Sequence, residues 1–298
     1  MSRLLAACLL LSTVVAAQSE ARVERNVVYG MYSGLALLMD VHYPATPNGY
    51  GIVHVPGSAF ASSLGYDATP ITAREQAYTT KLTEAGYTVF KINHRAAPRF
   101  VFPAALEDTQ RAVRFVRHNA KQYGINPDRI GGFGGSTGGY LLALTAMLGA
   151  KNDDEPDPVN KQPATLQALV LFAPGSDLRE LPKFNADAVV PIAMFLGVPI
   201  PIQDKANANI LKRASPQAFV TSSAPPVLLV HGDADQTVPY QQSVTFEAEL
   251  RRANVPTKLI TLPGGTHNAG FGAGNTPRPE WPDYLGEMNR WMDQYLKK

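Results

Sequence analysis

Cysteine is almost absent from this chain. Its 298 residues include a single one, Cys8, which falls within the first few residues. The rest of the chain therefore has no thiol for a disulfide, a thiolate metal site or a cysteine nucleophile. Charge is sparse and balanced: 17% of residues are charged, the formal net charge is +2, and no dense basic cluster occurs. This excludes the usual electrostatic footprint of a nucleic-acid binder or of a protein bound to an anionic membrane surface. Metal and nucleotide signatures are missing too. There is no H-E-x-x-H, the histidines are scattered, and neither a Walker A nor a Rossmann pattern precedes a helix. No metal and no cofactor are expected. Repeats and low-complexity tracts are absent.

No apolar run is long enough to cross a bilayer, so stable membrane insertion is not expected. The run nearest to that length is at the start. Arg3 precedes an apolar segment, Leu4 to Val15, and Val15-Ala16-Ala17 presents small residues where a signal peptidase reads. This pattern predicts a signal peptide over residues 1–17, cleaved before Gln18, and hence an exported protein, secreted or periplasmic. Leu5-Ala6-Ala7-Cys8 also fits a lipoprotein box but leaves almost no apolar segment ahead of the cysteine. The remaining residues, 18–298, suffice for one large α/β domain.

That domain reads as strands alternating with helices. Val23 to Tyr29 and Ala36 to Tyr43 predict an opening pair of strands. Short apolar runs at 51–55, 87–92, 166–172, 226–230 and 257–262 predict further strands, with helices over 73–85, 104–123, 240–253 and 284–295. The alternation predicts a mostly parallel central sheet with helices on both faces. Residues 176–224 are the least regular. Their apolar, proline-punctuated run from Val189 to Ile202 is read as a small cap or pocket wall, with plain helix-on-sheet packing as the alternative.

The chain is organised around Gly134-Gly135-Ser136-Thr137-Gly138, a G-x-S-x-G pattern followed by Gly139. A strand-compatible segment precedes it and a run of helix formers from Tyr140 to Leu148 follows. Strand, sharp turn and helix form the context of a nucleophile elbow, in which the serine backbone is strained and its neighbours must be small. A serine hydroxyl needs a base, and the base needs a carboxylate to fix its tautomer. The order serine, acid, histidine is met by Ser136, Asp235 and His267, the last two in loops just after predicted strands. Asp235 is preferred to Asp233 because it lies farther from the strand end, and Asp177 is a weaker rival. His267 sits among Gly264, Gly265 and Gly270, where a packing role would be odd. His231 ends a buried strand and is read as structural. After the strand at 51–55, Pro56-Gly57-Ser58-Ala59-Phe60 is read as half of an oxyanion hole. The backbone N–H of Ser58 is its first choice, Gly57 and Ala59 are alternatives, and Thr137 N–H is the other half. Phe60, Gly135, Met194 and Phe195 are the candidate pocket residues. Arg95 and Asp108 are expected to form a structural ion pair.

The blocks His94-Arg95-Ala96-Ala97-Pro98, Phe102-Pro103-Ala104 to Asp108, Tyr123 to Ile130, Gly134 to Gly139 and Ala224 to Pro239 resemble the α/β-hydrolase esterases. Within these they are similar to the hormone-sensitive-lipase-like and acetylxylan or feruloyl esterase-like branches. The resemblance covers about residues 50–270 and implies hydrolysis of short-acyl carboxylic esters, with a small-molecule ester as partner. Two departures stand out. Pro56-Gly57-Ser58 occupies the place of the family's usual His-Gly-Gly, and Gly135 that of a frequent aspartate. An amide hydrolase using the same three residues, arylformamidase-like or a peptidase, and a non-catalytic binding protein of this fold remain the alternatives. Oligomeric state is not readable.

Overall fold

Eight strands form one sheet in a computed structural model that describes residues 22–61, 73–149, 155–202, 204–267 and 281–298. The leader read at 1–17, Cys8 included, lies outside the described residues. The strands are β1 Arg22–Tyr32, β2 Leu35–Tyr43, β3 Gly51–Val55, β4 Thr88–Ile92, β5 Ile130–Gly135, β6 Ala168–Phe172, β7 Val227–Gly232 and β8 Thr257–Leu262. The helices are α1 Ala73–Glu84, α2 Ala104–His118, α3 Thr137–Leu148, α4 Ala186–Leu196, α5 Asp204–Arg213, α6 Gln241–Arg252 and α7 Tyr284–Leu296.

The sheet order is β1-β2-β4-β3-β5-β6-β7-β8. β2 runs antiparallel to both neighbours, and every pairing from β4 through β8 is parallel. β3, β4, β6 and β7 are buried along their whole length and β5 all but its last residue, Gly135, as parallel strands covered on both faces must be. One face packs against α2, α3 and α6, the other against α1 and α7. The expected mostly parallel sheet with helices on both faces is what forms. The helix expected over 104–123 stops at His118, and the chain reaches Gly124 through turns. Gly124 itself takes a left-handed φ of 65°.

β5, at the centre, is nearly devoid of side chains. A Cβ on Gly131 would lie 2.9 Å from Met292 Sδ of α7 and 2.8 Å from Ile52 Cδ1. On Gly132 it would lie 3.2 Å from Leu142 Cδ2 of α3 and 2.8 Å from Leu169 Cδ2. The missing side chains let the layers on both faces close onto this strand. The loops at the carboxyl ends of β3, β5, β7 and β8 meet above it, which is where open α/β sheets bind ligands.

Residues 176–224 are more regular than their composition suggests. They contain a 3₁₀ turn at Leu178–Lys183, α4, α5 and a second 3₁₀ turn at Pro216–Phe219. Asn185 caps α4 by accepting from Ala188 N–H, and Gly197 ends it at a left-handed φ of 68°, both standard helix terminators.

Candidate active site

Ser136 sits in the turn between β5 and α3 with φ 50° and ψ −121°, a strained conformation for a residue with a side chain. Three contacts hold it. Its N–H donates to Phe172 O at 2.7 Å, its C=O accepts from Tyr140 N–H at 2.9 Å, and the glycines around it admit the neighbouring backbone. Gly138 is the tightest case, since a Cβ there would lie 1.8 Å from Val55 O. The strain thus rests on close packing of β3 against the first turn of α3.

From Ser136 a line of hydrogen bonds runs across the sheet edge. Ser136 Oγ lies 2.9 Å from His267 Nε2, and His267 Nδ1 lies 2.7 Å from Asp235 Oδ2. Of the three carboxylates weighed from sequence, the structure brings Asp235 to His267. Asp233 is exposed and accepts from Gly264 N–H at 2.7 Å. Asp177 caps the 3₁₀ turn and pairs with Arg179 at 2.6 Å.

Asp235 is fully enclosed, and all its partners are donors. Oδ1 accepts from the N–H groups of Thr237 and Val238 at 2.8 and 2.9 Å. Oδ2 accepts from His267 and also from His231 Nε2, at 3.0 Å. Burial pushes this carboxyl up, but the hydrogen bonds from His231 and His267 outweigh burial and hold it well below the usual carboxylate range. An ionised Asp235 accepting at Oδ2 fixes a proton on His267 Nδ1. Nε2 is then free to accept from Ser136, the tautomer a general base requires.

His231, read from sequence as structural, is hydrogen-bonded to Asp235. Its Nε2 faces two acceptors, Asp235 Oδ2 and Val238 O at 3.1 Å, so that nitrogen carries the proton. Its Nδ1 then accepts the Ser243 hydroxyl at 2.7 Å. The available signal is the i, i+4 spacing of His231, near the end of β7, and Asp235 in the loop after it.

The oxyanion candidates lie where two loops meet. Thr137 opens α3, so its N–H has no partner inside the helix, and the helix N-terminus favours negative charge. Gly57 is pressed against the elbow: a Cβ on it would lie 3.0 Å from Gly135 O. Ser58, Ala59 and Thr137 line the same cavity as Ser136 and His267.

That cavity, of about 220 Å³, is walled chiefly by Phe60, Tyr140, Leu178, Phe184, Ala188, Ile192 and Val238. Phe60 lines it as expected; Met194 and Phe195 do not. Helical spacing turns Ala188, Pro191 and Ile192 inward and leaves Met194 facing outward, 45% exposed. Phe195 is buried behind the wall and stacks on Phe60 at 3.9 Å between ring centroids. Gly135 lies on the other side of Ser136, in a smaller recess of about 30 Å³ shared with Tyr78, Phe172 and His267. Within the stretch read as a cap or as helix-on-sheet packing, α4 walls the cavity, and its Phe195 stacks on Phe60 of the loop after β3.

Among the described residues no cluster of histidine, cysteine and carboxylate side chains could hold a metal ion, and no helix is long and apolar enough to cross a membrane.

Comparison with known proteins gives consistent neighbours. The sequence model of the BD-FAE family matches residues 39–250. Esterase LipQ of Mycobacterium tuberculosis is 32% identical over 220 residues, 72% of this chain and 49% of that protein. An acetylxylan esterase of Xylanibacter ruminicola is 25% identical over 256 residues, covering 85% of this chain and 46% of its own length. The chain spans about half the length of the curated relatives it matches. Among solved structures, a truncated carbohydrate esterase from gut microbiota superposes with a TM-score of 0.77 at 25% identity, covering 95% of this chain and 99% of that one. An acetyl ester-xyloside bifunctional hydrolase from Caldicellulosiruptor lactoaceticus shares the fold at a TM-score of 0.74 and 22% identity, covering 95% and 98%.

Proposed function

Because the chain belongs to the BD-FAE family of esterases and has the α/β-hydrolase fold, we propose that it is a serine carboxylic-ester hydrolase acting through an acyl-enzyme on short-acyl esters. The observation that carries this reading is the unbroken hydrogen-bond line Ser136–His267–Asp235 at the wall of an apolar cavity.

Ser136 Oγ attacks the ester carbonyl while His267 Nε2 takes its proton. The imidazolium so formed is stabilised by Asp235, which stays ionised. The backbone N–H groups of Ser58 and Thr137 hold the oxyanion of the tetrahedral intermediate. The intermediate collapses, the C–O bond to the alcohol breaks, and His267 protonates the departing alkoxide. Water, deprotonated by the same histidine, then attacks the acyl-enzyme, and the carboxylate leaves as Ser136 regains its proton. The cavity's modest volume suits a short acyl group. Acetylated carbohydrates join simple aryl esters as substrates to test, since an acetylxylan esterase is among the relatives. The leader over residues 1–17 is read as an export signal, and N-terminal sequencing of exported protein starting at Gln18 is the expected result.

The test of the activity is fluorophosphonate labelling alongside a p-nitrophenyl ester series of increasing acyl length. Wild type should label and prefer short chains, and Ser136→Ala should do neither. Ester turnover retained in Ser136→Ala would refute the assignment, because loss of a triad nucleophile typically costs several orders of magnitude in rate.

A further inference from the structure

His94 is a buried imidazole that the hydrolytic scheme leaves unused. It stands in the loop after β4, 3% exposed, and both ring nitrogens are engaged. Nδ1 lies 3.0 Å from the carbonyl oxygen of Arg95, which can only accept, so Nδ1 carries the proton. Nε2 is then a bare lone pair. It lies 3.3 Å from Ser58 Oγ, so the hydroxyl of Ser58 donates to it. Burial, outweighing the Arg95 carbonyl and the more distant Asp108, lowers the affinity of this ring for a second proton and keeps Nε2 an acceptor.

Ser58 needs such an anchor. The two residues after it, Ala59 and Phe60, have φ of 49° and 64°, left-handed values that cost a residue with a Cβ free energy and persist only when the surroundings impose them. The end of this loop is tied down. Ala97 N–H donates to Phe60 O at 3.0 Å, and the Phe60 ring stacks on Phe195. Its start, where the candidate oxyanion N–H lies, has one side-chain tether among the described residues, the bond from Ser58 to His94. The far side of His94 is fixed in turn: the next N–H, that of Arg95, donates to Asp108 Oδ2 at 2.7 Å.

We infer that His94 is a positioning residue for the oxyanion loop. As a neutral acceptor it holds the Ser58 hydroxyl and so aims the Ser58 peptide N–H toward the oxyanion. The same bond occupies the Ser58 proton, so the hydroxyl does not itself donate to the oxyanion. Pro56-Gly57-Ser58 leads into the two left-handed residues, and the Ser58–His94 bond supplies a fixing contact at the start of that loop. The inference rests on the hydrolase reading above.

The experiment is a double-mutant cycle on the full chain, reading kcat, KM and melting temperature on one short-acyl ester. Ser58→Ala and His94→Phe are each expected to lower kcat about tenfold, the scale of a misplaced catalytic contact, with KM within twofold. The double variant should be no slower than the slower single one. His94→Gln, whose amide oxygen can accept the hydroxyl, should recover most of the rate, which a purely structural role would not predict. Ser58→Ala turning over within twofold of wild type overturns the inference, as do losses that multiply in the double variant. Should His94→Phe fail to fold, Ser58→Ala alone and combined with His94→Gln decides. A wild-type chain that turns over no ester overturns the hydrolase reading and this inference with it. An active wild type with an unaffected Ser58→Ala overturns this inference alone.

Discussion

His231 and His267 donate to the same oxygen, Asp235 Oδ2, at 3.0 and 2.7 Å. One is buried beneath the carboxylate and the other reaches over the cavity. Asp235 is therefore held from two sides, by His231 as well as by His267. His231→Leu should lower kcat about tenfold and destabilise the fold by about 2 kcal/mol, the scale of a lost buried hydrogen bond to a charged group. Kinetics on folded protein beside a denaturation curve would check both. An unchanged kcat would confine His231 to packing.

Gly138 and Gly135 flank Ser136 on either side but differ in the room they have. A Cβ on Gly138 would collide with backbone, 1.8 Å from Val55 O, whereas on Gly135 its nearest neighbour would be Phe172 Cβ at 3.7 Å. Gly138→Ala is expected to give insoluble or unfolded protein, and Gly135→Ala to fold with a melting temperature near that of wild type. Solubility and thermal scans decide.

Arg95 and Asp108 form a buried pair at 2.8 Å with side chains 4% and 2% exposed. Both carboxylate oxygens are used, because Oδ2 also accepts the Arg95 N–H. The expected ion pair is present. Asp108→Ala leaves the guanidinium only its contacts with Glu107 and Ala104 O, at 3.0 and 3.1 Å, and frees the Arg95 N–H; losing the buried partner of the pair costs about 3 kcal/mol. The prediction is a large drop in unfolding free energy with a smaller loss of rate in the fraction that folds. Equal losses in both would place the pair closer to the chemistry.

His42 gives a pH dependence away from the site. Burial, then the nearby Lys91, lowers its pKa to about 4, and its Nε2 has no hydrogen-bond partner among the described residues. The unfolded chain protonates near 6.5 while the folded one resists until about 4. Below pH 6.5 the unfolded state therefore binds more protons, and stability falls as the pH drops through that window. The full effect is on the order of 3 kcal/mol. His42→Leu should flatten the stability profile between pH 6.5 and 4, measured by urea unfolding at a series of pH values. An unchanged slope would show that other groups control it.

The sheet and the polar trio were legible because each left a local mark. Apolar runs such as Leu169 to Phe172 and Val227 to Val230 are bounded by turn residues, and the small residues around Ser136 leave few alternatives to an elbow. Asp235 and His267 follow strand ends in the order that the fold allows. The wall of the cavity was not legible. α4 is apolar nearly all round, Ala186 to Leu196, and carries Pro191 in its middle, so no polar stripe marks which side faces in. That is why Met194 was placed inward and Ile192 passed over. Partnerships escaped for another reason. Ser58 and His94 are 36 positions apart, and their pairing depends on how two loops fall across neighbouring strands. Residue types announce chemistry, but only the fold assigns partners.

The glycines of β5 also order events in time. Gly131 leaves a groove that Met292 and Leu296 of α7 occupy, and α7 comes after β8 and every other described element. As the polypeptide leaves the ribosome, Ser136, Asp235 and His267 have all emerged before the segment that covers the strand beneath the nucleophile. A nascent chain halted just after His267 has every reacting group and an uncovered strand under them. Competence to hydrolyse is thus expected to arrive with α7 and not with His267.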